Sequence, residues 1–379
     1  MSSYNNIIEK LGKLQTVKSD IKTSILNKGV DVNDDITTYA AAIDSIVVSQ
    51  GKNYLYLKND TTSTMNVSIY NSSGVSGAIP STLSYSFDLV TWTTWNGTTA
   101  VGVTDKIYLK ANDGFWSTNS GSLQIKVVWL DGTDGTYSVG GNPKSLISYD
   151  IDVDLPAYSF ENMFVGEPVS NISQLELNTY NLSDNVYFAM FNKCTKLTTC
   201  FDNITLGDVG AYSLYQMFLQ CTSLKSAPKI TIKGIVQEYG LFSMFENCSS
   251  LKKLVLDDQE ATLNTVSYGC LCQGCSSLRV FITYIKKFNS SAQSCLYDLL
   301  GGCSGLTYVR VMFEDLANTG LEDNWLSGGG RFYCPLALTD PKVSSSWTVY
   351  RNEINTVTLS QNEYDSLTNI DPNIIYIIR

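Results

Sequence analysis

Through the middle of the chain, apolar residues return in one frame every 27 positions. The frame is Met-Phe-x-x-Cys-[Ser/Thr]-x-Leu. It is clearest as Met190-Phe191 with Cys194 and Leu197, Met217-Phe218 with Cys221 and Leu224, and Met244-Phe245 with Cys248 and Leu251. Two looser copies follow, Leu271-Cys272 with Cys275 and Leu278, then Leu299-Leu300 with Cys303 and Leu306. A degenerate first copy, Met163-Phe164, carries Glu167 in the cysteine slot. Positions 167, 194, 221, 248, 275 and 303 lie 27, 27, 27, 27 and 28 apart. So strict a period predicts a solenoid, because one coil cannot bury its apolar face alone. The stretches Leu251-Leu254-Leu256, Leu278-Val280-Ile282 and Leu306-Val309-Val311 predict one short strand per coil, stacked in parallel at about 4.8 Å. The Met-Phe segment is expected to close each coil as a helical or irregular turn. Glu167 reads as the mark of a capping coil with a more polar outer face.

The flanks follow other periods. Ile7, Leu11, Leu14, Val17, Ile21 and Ile25 are spaced 4, 3, 3, 4 and 4, close to a coiled-coil seam. Gly29 is placed to end that helix, and a second short helix is predicted near Thr37 to Val47. Two such helices cannot make a core of their own. They are expected to anchor and oligomerise the protein, as a trimer, or else to cap the next domain. From about 52 to 145, β-rich runs such as Met65 to Tyr70 and Leu123 to Leu130 alternate with Gly, Asn, Asp and Ser clusters, which predicts a sandwich. The expected fold is therefore multidomain: an N-terminal α-helical oligomerisation and anchor segment (1–50), a β-sandwich (51–145), a parallel leucine-rich-repeat solenoid (146–316) and a small C-terminal α+β module (317–379).

Composition narrows the function. The net charge is −10, which gives nucleic-acid binding no electrostatic support. No apolar run is long enough to span a membrane, and the start lacks the pattern of a secretory signal, so neither a membrane nor a nucleic-acid partner is expected. The chain has no histidine, which rules out a histidine-based triad or general base. Acid clusters do exist, at Asp150, Asp152 and Asp154, at Asp257-Asp258, and at Asp131 and Asp134. Two carboxylates suffice for glycoside hydrolysis, but these positions read more simply as solvated faces and turns. Asp131 and Asp134 lack a complete calcium-loop signature. Five of the ten cysteines form the repeat column. Without histidine, zinc would require four thiolates, and neighbouring coils are near enough for stacked disulfides, yet packed, reduced thiols are the simpler reading. No catalytic residue, cofactor or metal is expected.

Aromatic residues supply the candidate contacts. Trp92, Trp95 and Trp116, with Tyr85 and Phe115, can form a patch for stacking sugar rings, although such residues also fill sandwich cores. Ser86-Phe87-Asp88-Leu89-Val90-Thr91-Trp92 is similar to the Asp-box hairpin of sialidase-like folds. It lacks that motif's glycine and is one residue short, and such a box stabilises a turn rather than carrying out catalysis.

The five in-phase copies of Met-Phe-x-x-Cys-[Ser/Thr]-x-Leu resemble the BspA-like leucine-rich repeat of bacterial surface proteins and of gut bacteriophages, crAss-like phages among them. Asp20-Ile21-Lys22-Thr23 with Asn27-Lys28-Gly29-Val30 is similar to an N-terminal module of phage tail and fibre proteins. The stretch from Leu359 to Leu367, followed by Asp371 to Ile378, is similar to a short C-terminal module of the same proteins. The resemblance implies a virion head or tail fibre or decoration protein, assembled in the host cytoplasm and displayed on the virion surface. Its partners would be capsid or tail proteins, further copies of itself, and a host-surface glycan, mucus component or protein. A bacterial cell-surface adhesin is the alternative, and a carbohydrate-active enzyme is a less favoured one.

Overall fold

The computed structural model describes residues 22, 53–71, 83–111, 123–132, 134–147, 155–177, 179–317, 319–322, 325–351, 355–359 and 374–378. The seam Ile7, Leu11, Leu14, Val17, Ile21 and Ile25 lies outside them.

The N-terminal part of the described chain is antiparallel. Its strands are β1 (Leu55–Asn59), β2 (Met65–Asn71), β3 (Leu83–Ser86), β4 (Thr93–Trp95), β5 (Val101–Val103), β6 (Lys106–Ala111), β7 (Leu123–Trp129) and β8 (Tyr137–Gly141). One sheet has the order β4-β3-β6-β1-β8, and the other β5-β2-β7. Alternation places Leu55, Leu57, Ile107, Leu109 and Val139 from the first, and Met65, Val67, Ile69, Ile125 and Val127 from the second, in one buried core. A 3-10 turn, Pro143–Leu146, follows, capped by the Asn142 side chain.

The chain then turns into the solenoid without leaving this sheet. β9 (Val169–Leu175) belongs to the first coil and pairs in parallel with β8. A parallel bridge from Asn171 to Thr199 leads on to the second coil. From there β10 (Asn203–Leu206), β11 (Lys229–Ile232), β13 (Lys253–Asp257), β15 (Val280–Thr283), β17 (Tyr308–Arg310), β18 (Gly330–Cys334) and β19 (Trp347–Arg351) form one parallel sheet. A second, narrower parallel sheet runs beside it: β12 (Ile235–Val236), β14 (Thr262–Leu263) and β16 (Lys287–Phe288). The middle coils therefore carry two strands, where the repeat pattern predicts one. Inside, Leu197, Leu224, Leu251, Leu278 and Leu306 are buried with the Met-Phe pairs from Met163 to Phe245. Phe164, Phe191, Phe218 and Phe245 stack as a continuous interior column at 5.3, 5.8 and 5.4 Å between ring centres.

The expected mixed fold is corrected: the described chain is almost wholly β and contains no α-helical element. Among the described residues no helical N-terminal segment is seen, and a helical Lys22 is the one described residue before 53. The Met-Phe segments are runs of turns whose backbone bonds alternate. The amides of Tyr187, Ala189, Phe191 and Lys193 donate to carbonyls of the next coil at 2.8–2.9 Å, while those of Met190, Asn192 and Cys194 donate three residues back. A left-handed residue every fourth position makes this possible, as at Asn185 (φ 58°), Ala189 (φ 50°) and Lys193 (φ 61°). A helix would satisfy all its amides internally and leave nothing to join the coils. The C-terminal α+β module is corrected too. β18 and β19 prolong the solenoid sheet by two strands, covering the edge that β17 would otherwise expose. β20 (Asn355–Leu359) and β21 (Ile374–Ile378) pair with each other in parallel.

One strand faces the opposite way from its sequence reading. In β15 the core receives Phe281 and Thr283, while Val280 and Ile282 lie on the outer face. Leu278 is followed three residues on by Phe281, the offset that Leu251 to Leu254 and Leu306 to Val309 also keep, so the strand holds the phase of its neighbours and the alternation runs through Phe281 rather than Val280.

Candidate functional site

The cysteine column shows how the repeat selects its residues. Cys194 donates its thiol proton to the carbonyl of Phe164 on the preceding coil at 3.0 Å. Cys221, Cys248, Cys275 and Cys303 do the same to Phe191, Phe218, Phe245 and Cys272 at 3.0–3.1 Å. All ten cysteines are free and buried. Burial pushes the thiols of Cys194, Cys221, Cys248 and Cys303 well above the usual thiol range, which removes the thiolate needed for nucleophilic chemistry. The first coil has no coil before it. Glu167 fills the same slot, 2 % exposed, and its carboxylate accepts from the Val127 amide at 2.9 Å and from Lys126 Nζ at 3.0 Å, both on β7. Glu167 is thus a buried latch between solenoid and sandwich, not a polar outer face. Its pKa is raised by burial, against the opposing pull of Lys126 and the Val127 amide.

Two rows of rings lie partly exposed on the turn side of the solenoid. Phe188, Tyr215 and Phe242 stack at 4.9 and 5.4 Å, and Tyr212 stacks on Tyr239 at 4.8 Å. Within each row the ring faces cover one another and present mainly edges. The far face of Phe242 lies against Gly269, where an added Cβ would come within 2.6 Å of the ring. Such a ladder ties coils together but leaves few free faces for a sugar ring.

An open aromatic cleft lies instead on the sandwich, between the β3–β4 hairpin and β5, with a volume of about 680 Å³. The hairpin turn is built by the Ser86–Trp92 segment. The Asp88 carboxylate accepts from the amides of Val90 (2.9 Å) and Thr91 (2.7 Å) and from the Ser86 hydroxyl (2.9 Å). The amides of Thr91 and Val90, then Ser86, hold its pKa down to about 2. Leu89 takes a left-handed conformation, φ 65°, to complete the turn. The turn lifts Phe87 out to 52 % exposure. Tyr85 meets Phe87 and Trp95 edge-on at 5.4 and 6.0 Å, and these three rings form the cleft wall. Thr93, Thr94, Asn96 and Thr99 add hydroxyl and amide groups. Asn96 and Thr99 bond to each other twice at 2.9 Å, and Trp95 Nε1 donates to the Thr99 carbonyl at 2.6 Å, which sets the rim.

The tryptophans singled out from the sequence do not meet in one platform. Trp95 is 4 % exposed and belongs to the core as much as to the cleft. Trp92 is half-buried, with Tyr54 edge-on at 4.8 Å and Lys110 Nζ 4.0 Å over its ring. Trp116 and Phe115 lie outside the described residues, as do Asp150, Asp152 and Asp154. Phe87, the most exposed ring of the cleft, was not selected from the sequence. Its only signal there is its place at the start of a turn motif that must project something.

Among the acids, Asp258 is enclosed rather than accessible. It accepts from Thr283 Oγ1 at 2.7 Å, from the Tyr284 amide at 2.6 Å and from Tyr268 Oη at 3.3 Å. Burial raises its pKa to about 7 against those three hydrogen bonds. Among the described residues, no group of three or more acidic or cysteine side chains is placed to hold a metal ion, and no helix is long and apolar enough to cross a membrane.

No protein-family model matches the chain, and no curated protein or solved structure is similar to it.

Proposed function

We propose that this chain is a non-catalytic, surface-displayed binding protein whose sandwich cleft takes a saccharide. The observation that carries the reading is the cleft itself: Tyr85, Phe87 and Trp95 offer apolar surface, and Thr93, Thr94, Asn96 and Thr99 offer hydroxyl and amide partners in an open groove of about 680 Å³. Pyranose rings present the matching surface, apolar on the C–H side and polar at the rim. The solenoid supports the reading as a rigid stalk, each coil held to its neighbours by strand pairing, backbone turn bonds and thiol donors. Together with the resemblance of its repeat to BspA-like surface and phage proteins, this points to a virion fibre or decoration protein, held on capsid or tail in several copies and contacting host-surface glycan or mucus.

A glycan array probed with the full chain, then with Phe87→Ala, tests the cleft. Saccharide binding that falls at least tenfold in Phe87→Ala, with an unchanged melting temperature, is the expected result. Binding that persists undiminished in Phe87→Ala would remove the cleft from the function. Immunogold labelling of virions tests the location.

A further inference from the structure

The outer face of the solenoid sheet carries a feature that its packing does not explain. Val309 of β17 and Val311 just after it point into the core, so Tyr308 and Arg310 point outward. Arg310 is nevertheless only 5 % exposed, and its Nε is buried without a hydrogen-bond partner. In register it stands between Ile282 of β15 and Tyr333 of β18. Tyr333 lies between Tyr308, tilted by 32° at 5.0 Å, and Tyr350, stacked at 4.8 Å. A guanidinium in such surroundings has lost most of its water and gained no carboxylate, an arrangement that disfavours the folded state unless an anion completes it.

The rest of the face fits an anion. Arg331 of β18 lies beside Tyr308 and diagonally across from Arg310, about 8 Å away between Cα positions. Lys253 and Lys229 are exposed on the same face, and Asp257 is the one acid among the strands of this sheet. On a chain of net charge −10, this is a local reversal of sign.

We propose that the face around Arg310 is a second binding site, for a carboxylate carried by an acidic saccharide such as a uronate or sialate. Arg310 meets the carboxylate with its terminal guanidinium nitrogens, in a charge-assisted pair. Arg331 adds long-range attraction, and the hydroxyl-bearing Thr348 and Tyr350 of β19 edge the site. Tyr308 and Tyr350 cover the two faces of Tyr333, so a stacked nucleic-acid base finds no platform on that ring. The site is separate from the sandwich cleft and does not depend on it.

The test uses the full chain with tetragalacturonate, neutral maltotetraose and a hexaglutamate peptide in isothermal titration at low and high salt. Binding of tetragalacturonate alone is expected, weakening with salt. Arg310→Met should lose it at least tenfold yet melt higher than the parent, because an unpaired buried charge has been removed. Arg331→Ser should weaken it severalfold. No tetragalacturonate binding, or a lower melting temperature for Arg310→Met with binding retained, would overturn the site. Equal, Arg310-dependent binding of hexaglutamate would overturn the saccharide assignment. If Arg310→Met does not fold, the titration of the parent chain and of Arg331→Ser decides the matter.

Discussion

Coil one and the coils after it fill the same slot with opposite chemistry. In the later coils a neutral thiol donates to the carbonyl of the coil before it. In coil one that neighbour is β7, which presents the Val127 amide and Lys126, and the slot holds a carboxylate that accepts from both. The repeat therefore does not demand cysteine. It demands whichever side chain completes the hydrogen bonding of the element stacked beneath it, since a buried polar group left alone costs about 1–3 kcal/mol.

Exchanging the two chemistries should be the most damaging change. Cys221→Glu would bury a carboxylate against the Phe191 carbonyl with no cation near, and a loss of about 3–5 kcal/mol is expected, read as a lowered denaturation midpoint. A midpoint within experimental error of the parent would refute the donor–acceptor account. Asp258 sharpens the comparison, because it is a buried carboxylate with hydrogen bonds but no cation. Its folded pKa of about 7 lies above its ordinary value, so the unfolded chain binds fewer protons between roughly pH 4 and 7. Stability from this group is full below that window, falls as pH rises through it and is level above, a total on the order of 4 kcal/mol at most. Asp258→Asn should flatten that slope in urea melts taken from pH 4 to 8. An unaltered slope would place the titration elsewhere. Glu167→Ala should cost less, about 2–3 kcal/mol, by leaving the Val127 amide and Lys126 without their acceptor, and it should loosen sandwich from solenoid. Calorimetry would show this as a broadened or divided transition, whereas a single sharp transition at the parent temperature would deny the latch. The smallest effect tests the turn segments. Lys193 is an exposed left-handed residue at φ 61°, where the later coils place Gly274 and Gly302. Lys193→Gly should stabilise by roughly 0.5–1 kcal/mol, and a loss of stability would mean that the lysine does more than fill the position.

Much of the solenoid was legible from the chain alone. The period, the buried leucines and the Met-Phe slots repeat because every coil solves the same local problem, so the signal is reinforced at each turn. The Ser86–Trp92 motif likewise marked its own hairpin, since all its bonds lie within the segment. What stayed hidden depends on residues distant in sequence. The turn segments read as possible helix because their apolar spacing is near-helical, and only bonds between coils exclude it. Residues 330–351 carry no Met-Phe frame, yet they join the sheet because its edge needs partners. The exposure of Phe87 depends on how the hairpin sits against β5.

By itself the sequence determined a stacked coil, its interior column and the alternation of faces along most strands, because periodic burial is written in residue type and spacing. Only the tertiary structure decided that Glu167 is a latch, that Asp258 occupies a slot filled in adjoining coils by Ile232 and Ile285, and that the Nε of Arg310 is buried without a hydrogen-bond partner. Each of these depends on what a neighbouring strand presents to the side chain, and a charged group's role follows from its surroundings more than from its place in a pattern.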